Sequence, residues 1–256
     1  MTAALAISIA PEAAQSESHR EHVQVLESRP GVRQVLLVTD GHAESLVARH
    51  AVLVLGGGGG GFAVTSRDGV PHVHGGLPPA QRQRLANAIG GPVVALSPPT
   101  DQPVMDRAWR VSDDHLSDMR VAVNWTREQW PQAQTWMLGL ESGALSAAVA
   151  TSTMGELAGA VFLACLDEAL DQPQKSDHMR VLAVRRRSDE CPSYATLAHA
   201  RGRRTLVTVH DERQPRNDGA HGDEAAHPRQ FVGKEHQVVD VVARWILTGT
   251  APDEIR

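Results

Sequence analysis

Short apolar runs separated by stretches of helical period recur along this chain, and that alternation is the signature of a layered α/β sheet. Val35-Leu36-Leu37-Val38 predicts a strand, and Ala51-Val52-Leu53-Val54-Leu55 predicts a buried strand running into six glycines, Gly56 to Gly61. Pro79 to Ile89 has helical spacing and is stopped by Gly90-Gly91. Pro92-Val93-Val94-Ala95-Leu96 predicts the next strand, closed by Ser97-Pro98-Pro99.

Ser112, with Asp113 and Asp114 in the first turn and His115 three residues on, predicts a helix start. Leu116, Met119, Val123 and Trp130 fall close to one face of that helix, and Pro131 ends it. Thr135-Trp136-Met137-Leu138 predicts a strand entering Gly139, followed by an alanine-rich helix over Ala144 to Thr151. Ala158 to Leu166, Met179 to Val184 and Arg204 to Val209 predict further strands. Glu235 to Leu247 predicts a closing amphipathic helix with Val238, Val242 and Trp245 on one side. The pattern predicts one doubly wound, mostly parallel sheet with helices on both faces, in a single domain over 1–256. Residues 1–30 are expected to form an arm or first strand, and 248–256 a frayed tail.

Composition narrows the function. Apolar residues make up 41%, enough for a core, and no apolar run could span a bilayer. A net charge of −5 and 4% aromatic residues argue against nucleic-acid and membrane partners. Met1 to Ala10 is apolar but lacks a basic n-region, so a cytoplasmic protein is expected, with a periplasmic or secreted one as the alternative. Two cysteines, Cys165 and Cys191, build no disulfide framework. Each follows a strand, and buried thiols are expected.

The turn at Gly139 carries the chemistry. Gly139-Leu140-Glu141-Ser142-Gly143 between strand and helix has the small-x-nucleophile-x-small spacing of a nucleophile elbow. A strained turn crowds its neighbours, so the positions two away must lack bulk. The central side chain projects above the sheet, and the next N–H lies at a helix start, where negative charge is favoured.

Here the chain resembles the α/β-hydrolase superfamily, in its esterase-like serine hydrolase branch, from about Val35 to Ile246. His115-Leu116-Ser117-Asp118 with Trp125 is similar to the helix before the elbow, and Trp136-Met137-Leu138-Gly139 to the elbow strand. The resemblance implies an α/β-hydrolase fold, a catalytic group at position 141, an acid at Asp189 after the penultimate strand, and a histidine at His227 before the last helix. It also implies an oxyanion hole from the Ser142 N–H and the glycine run, placed at Gly58. Asp167 and Glu190 compete with Asp189 for the acid role. The departure is Glu141, which stands where this branch has serine. Ser142 is one place late and is not expected to be the nucleophile.

A carboxylate attacking a carbonyl would give a mixed anhydride, whereas attack on an alkyl carbon, displacing halide or opening an epoxide, gives an ordinary ester. Some members of the superfamily use aspartate at the elbow in that way. Glutamate reaches about 1.5 Å further, and misplacement on that scale costs on the order of a hundredfold in rate. Glu141 could instead act as a base toward water, or could pair with a protonated His227 and fill the site. The reading is therefore a cofactor-independent hydrolase of a small molecule through Glu141, His227 and Asp189. Its alternative is a catalytically silent protein of the same fold that binds a ligand or protein partner.

Other motifs point to blander roles. His72 and His74 share a strand face, but no third ligand is identifiable, so no metal site is expected. No Gly-Lys-Ser/Thr follows the glycine run, which weakens a nucleotide-binding reading. Arg185-Arg186-Arg187 fits a solvated strand end, with attraction of an anionic substrate as the alternative.

Overall fold

The buried strands are apolar on both sides because both faces of the sheet are covered. The computed structural model describes residues 21–41, 47–58, 63–67, 70–74, 76–164, 169, 175, 178–187, 204–210 and 231–256. In chain order the elements begin β1 (Glu21–Arg29), β2 (Val32–Thr39), β3 (His50–Leu55), β4 (Ala63–Arg67), β5 (Val70–His74), α1 (Pro79–Ile89), β6 (Val93–Leu96), α2 (Arg107–Arg110) and α3 (Asp113–Gln129). They continue with β7 (Gln134–Leu140), α4 (Gly143–Thr153), β8 (Gly159–Leu163), β9 (Arg180–Arg186), β10 (Arg204–Val209), α5 (Glu235–Thr248) and β11 (Glu254–Ile255). The main sheet has the order β1-β2-β6-β3-β7-β8-β9-β10-β11. β2 runs antiparallel to both its neighbours, and every pairing from β6 to β11 is parallel. β4 and β5 form a separate hairpin.

Period-two alternation sorts each strand between two cores. Val52, Val54, Trp136, Leu138, Val161 and Leu163 face α1 and α5, joining Leu85, Ile89, Val238, Val242 and Trp245. Their neighbours Leu53, Leu55, Met137, Ala160 and Phe162 face α3 and α4, joining Met119, Val123, Ala144 and Ala148. The small residues of α4 let it lie directly on the sheet. Ser112 caps α3, its Oγ accepting from the His115 N–H at 3.2 Å, and Gly90 ends α1 in the left-handed conformation at φ 61°. Arg180 fastens the far end of α5. Its guanidinium lies 4.6 Å from the Trp136 ring centre and donates to the Trp245 and Ile246 carbonyls.

Three expectations need correction. The tail is not frayed: the Thr208 and His210 N–H groups donate to Asp253 and Ile255, and Ile255 is buried. Two paired residues are too few to leave a periodic signal. Within 1–30, for which an arm or a first strand was expected, β1 spans Glu21–Arg29 and needs no correction; its Val23 and Val25 are exposed as on any sheet margin. Residues 1–20, including the apolar start, lie outside the described residues, as do Cys165 and Cys191. The strand expected to reach Leu166 stops at Leu163, because Ala164 turns into the left-handed region at φ 51°. Of the arginine run, Arg186 is buried and Arg185 donates to Thr208 Oγ1, so only Arg187 fits a solvated strand end.

Candidate active site at the carboxyl end of the sheet

β7 delivers the chain to Glu141 in a conformation that L residues avoid, φ 50°. Its N–H donates to the Leu163 carbonyl of β8 at 2.8 Å, and its carbonyl accepts from the Ala144 N–H at 3.1 Å. The turn is therefore fixed from both sides, and α4 starts at once. The flanking glycines are required sterically. A Cβ on Gly139 would overlap the Ala144 backbone, and one on Gly143 would overlap the Leu55 and Gly56 carbonyls. The small-residue spacing is thus a packing demand of the elbow against β3 and α4.

Glu141 lines a cavity of about 190 Å³ at the carboxyl ends of β7 and β8. Leu77, Pro78, Leu163, Phe231, Val238 and Val239 make it mostly apolar, and Gln81 and Glu235 add polar groups. The left-handed Ala164 is also on its wall. Strain and cavity therefore coincide: among the described residues the only non-glycine residues at positive φ are Glu141 and Ala164.

The glycine run meets the elbow edge-on. Gly57 lines the cavity, and a Cβ there would lie 2.9 Å from Glu141 Cβ, Glu141 Oε2 and the Leu140 carbonyl oxygen. Gly58 accepts from Ser142 Oγ at 3.1 Å, which commits the Ser142 hydroxyl proton to the loop. Gly57→Ala is expected to displace the carboxylate, lowering any turnover that depends on it by about a hundredfold, and to lower the unfolding midpoint as well, because the new Cβ also presses on the Leu140 backbone carbonyl. Steady-state kinetics alongside urea unfolding measures both quantities.

Sequence reasoning missed Arg110, the last residue of α2. Its guanidinium is 1% exposed and donates to Ser146 Oγ, to the Gly56 carbonyl at 3.1 Å and to the Gly58 carbonyl at 3.0 Å. Burial pushes it down to about 10, so it remains charged at neutral pH. Nearby His115 is fully buried with neither ring nitrogen hydrogen-bonded among the described residues, its ring centre 6.4 Å from that of Trp109. No local sequence signal distinguishes Arg110 from the exposed Arg107 one turn earlier.

Asp189 and His227, with the competitors Asp167 and Glu190, lie outside the described residues. The elements flanking them are placed: Asp189 follows β9, and the chain after His227 re-enters the described structure at Phe231, on the cavity wall. The side chains of His72 and His74 also lie outside the description.

Sheet order, elbow and cavity define the α/β-hydrolase fold. No family model and no curated protein matches the chain. Solved structures do. An esterase from Rhizomucor miehei is 12% identical with a TM-score of 0.58, over 93% of this chain and 85% of that one. A cold-adapted esterase from an Arctic intertidal metagenomic library is 15% identical with a TM-score of 0.55, over 93% and 99%. Brefeldin A esterase, a bacterial homologue of human hormone-sensitive lipase, is 13% identical with a TM-score of 0.58, over 94% and 79%. Likeness at such identities is likeness of fold. Among the described residues, no helix is long and apolar enough to cross a membrane.

Proposed function

We propose that the protein is a hydrolase of a small, mostly apolar molecule, with Glu141 meeting the substrate and His227 and Asp189 as its partners. The observation that carries this reading is the Glu141 carboxylate, raised on a strained turn at the wall of an apolar cavity. Strained backbone is kept where the surrounding structure gains something from the side chain it displays. A cavity of about 190 Å³ suits a small substrate.

The chemistry that fits a carboxylate is displacement at an alkyl carbon. A Glu141 oxygen forms a bond to that carbon while a halide, or the oxygen of an epoxide, leaves with its electron pair. Water, giving its proton to His227, then adds to the carboxyl carbon of the resulting ester. Backbone N–H groups of the glycine loop and of Ser142 hold the oxyanion; on collapse His227 hands its proton to the departing oxygen, which leaves as an alcohol, and the carboxyl group loses its remaining proton to solvent and is again a carboxylate. Asp189 orients His227 and supports its positive charge.

The alternative is a silent binding protein, and one observation favours it. Glu141 Oε2 reaches against Gly57, where a serine enzyme of this fold would hold the substrate's carbonyl oxygen. A panel of haloalkanes, epoxides, esters and lactones separates the two. Turnover of alkyl halides or epoxides by the native protein supports the hydrolase. No turnover anywhere, with weak ester cleavage gained by Glu141→Ser, supports the silent reading.

A further inference from the structure

A run of six glycines has no side chains by which to hold its own position, and each glycine loses more backbone entropy on ordering than any other residue. Something outside the run must fix it. Arg110 provides the means, donating to the carbonyls of Gly56 and Gly58 from one planar guanidinium while another of its nitrogens is held by Ser146 on α4. In a trans peptide the carbonyl of one residue and the N–H of the next point in opposite directions. A Gly56 carbonyl turned to Arg110 therefore turns the Gly57 N–H away from it, and Gly57 is the residue of this loop that borders both Glu141 and the cavity.

We propose that Arg110 is a positioning residue that aims the Gly57 N–H at the reacting oxygen, and that Gly57 supplies the loop's oxyanion contact. The role rests on the hydrolase reading above. A charged donor on the Gly56 carbonyl also polarises the shared peptide group and makes its N–H a stronger donor. The arrangement is costly for folding alone. Arg110 is buried with neither a carboxylate partner nor a hydrogen bond on its Nε among the described residues. Lysine does not replace it: the Nη2 that bonds both carbonyls is held in place by Nη1 on Ser146, and a lone ammonium nitrogen over the carbonyls lacks that second anchor.

Glycine-selective 15N labelling tests the clamp without any substrate. In the native protein the Gly57 amide should be as ordered as the rigid backbone, with an order parameter near about 0.85. In Arg110→Met and Arg110→Lys it should fall below about 0.6, with Gly139, Gly143 and Gly155 unchanged. If Arg110→Met does not fold, Arg110→Lys decides. An unaltered Gly57, or equal loosening of every glycine, would overturn the clamp. With a substrate in hand, Arg110→Lys should lower kcat about a hundredfold with KM within about threefold. A rise in KM with kcat preserved would overturn the positioning role. Lack of any turnover by the native protein defeats the hydrolase reading and the donor role with it, and the relaxation data still decide the clamp.

Discussion

Glu141→Gln is expected to reduce turnover at least about a thousandfold while leaving the fold intact. Glutamine has the same shape, so the Glu141 N–H bond to Leu163 and the packing against Gly57 are retained while the carboxylate charge is lost. An amide is a poor nucleophile toward an alkyl carbon and a poor base toward water, so both catalytic versions predict the loss. Glu141→Asp keeps the charge but withdraws it by about 1.5 Å, and an intermediate loss on the order of a hundredfold is expected. Kinetics on the best substrate, with circular dichroism as the check on folding, measures both. Native rates in Glu141→Gln would remove this residue from the chemistry.

His115→Leu is expected to leave stability at pH 7 within about 1 kcal/mol of the native protein and to raise it by about 3 kcal/mol at pH 4. The ring is fully buried, has no hydrogen-bond partner among the described residues, and is pushed down to about 3, mainly by desolvation and then by the nearby Arg110 and Arg29 charges. An imidazole of about 6.5 in the unfolded chain takes up a proton well before the folded one does. The proton-linked cost is therefore absent above about pH 6.5, and stability drains away as the pH falls from there toward 3. Leucine removes that proton uptake together with two unsatisfied nitrogens. Urea titrations of both proteins at the two pH values give the difference directly. Acid limbs that run parallel would show that His115 is not protected in this way.

The elements that position the site were legible because their signals are local. Gly90 and Ser112 carry cap chemistry that needs no tertiary partner, and the doubly buried strands leave unbroken apolar runs. The elbow was legible from its small-residue spacing between an apolar strand and an alanine-rich helix, although only the Gly139 contact is local, Gly143 answering to Leu55 and Gly56 on β3. β1 was harder to read, since an edge strand with exposed valines and charged neighbours has no clear apolar stripe. Arg110 could not be read at all: its role comes from contacts with Gly56, Gly58 and Ser146, distant in sequence. In the same way, nothing inside a run of identical glycines tells Gly57, on the cavity, from Gly58, bonded to Ser142.

Heavy-oxygen water offers the most direct trial of the carboxylate's role. One turnover in H2 18O, followed by mass spectrometry of the peptide that carries the elbow, reports where the solvent oxygen goes. Attack through an ester leaves the label in the side chain of Glu141 and an unlabelled alcohol. Labelled alcohol with an unlabelled Glu141 would contradict covalent attack and make the carboxylate a base.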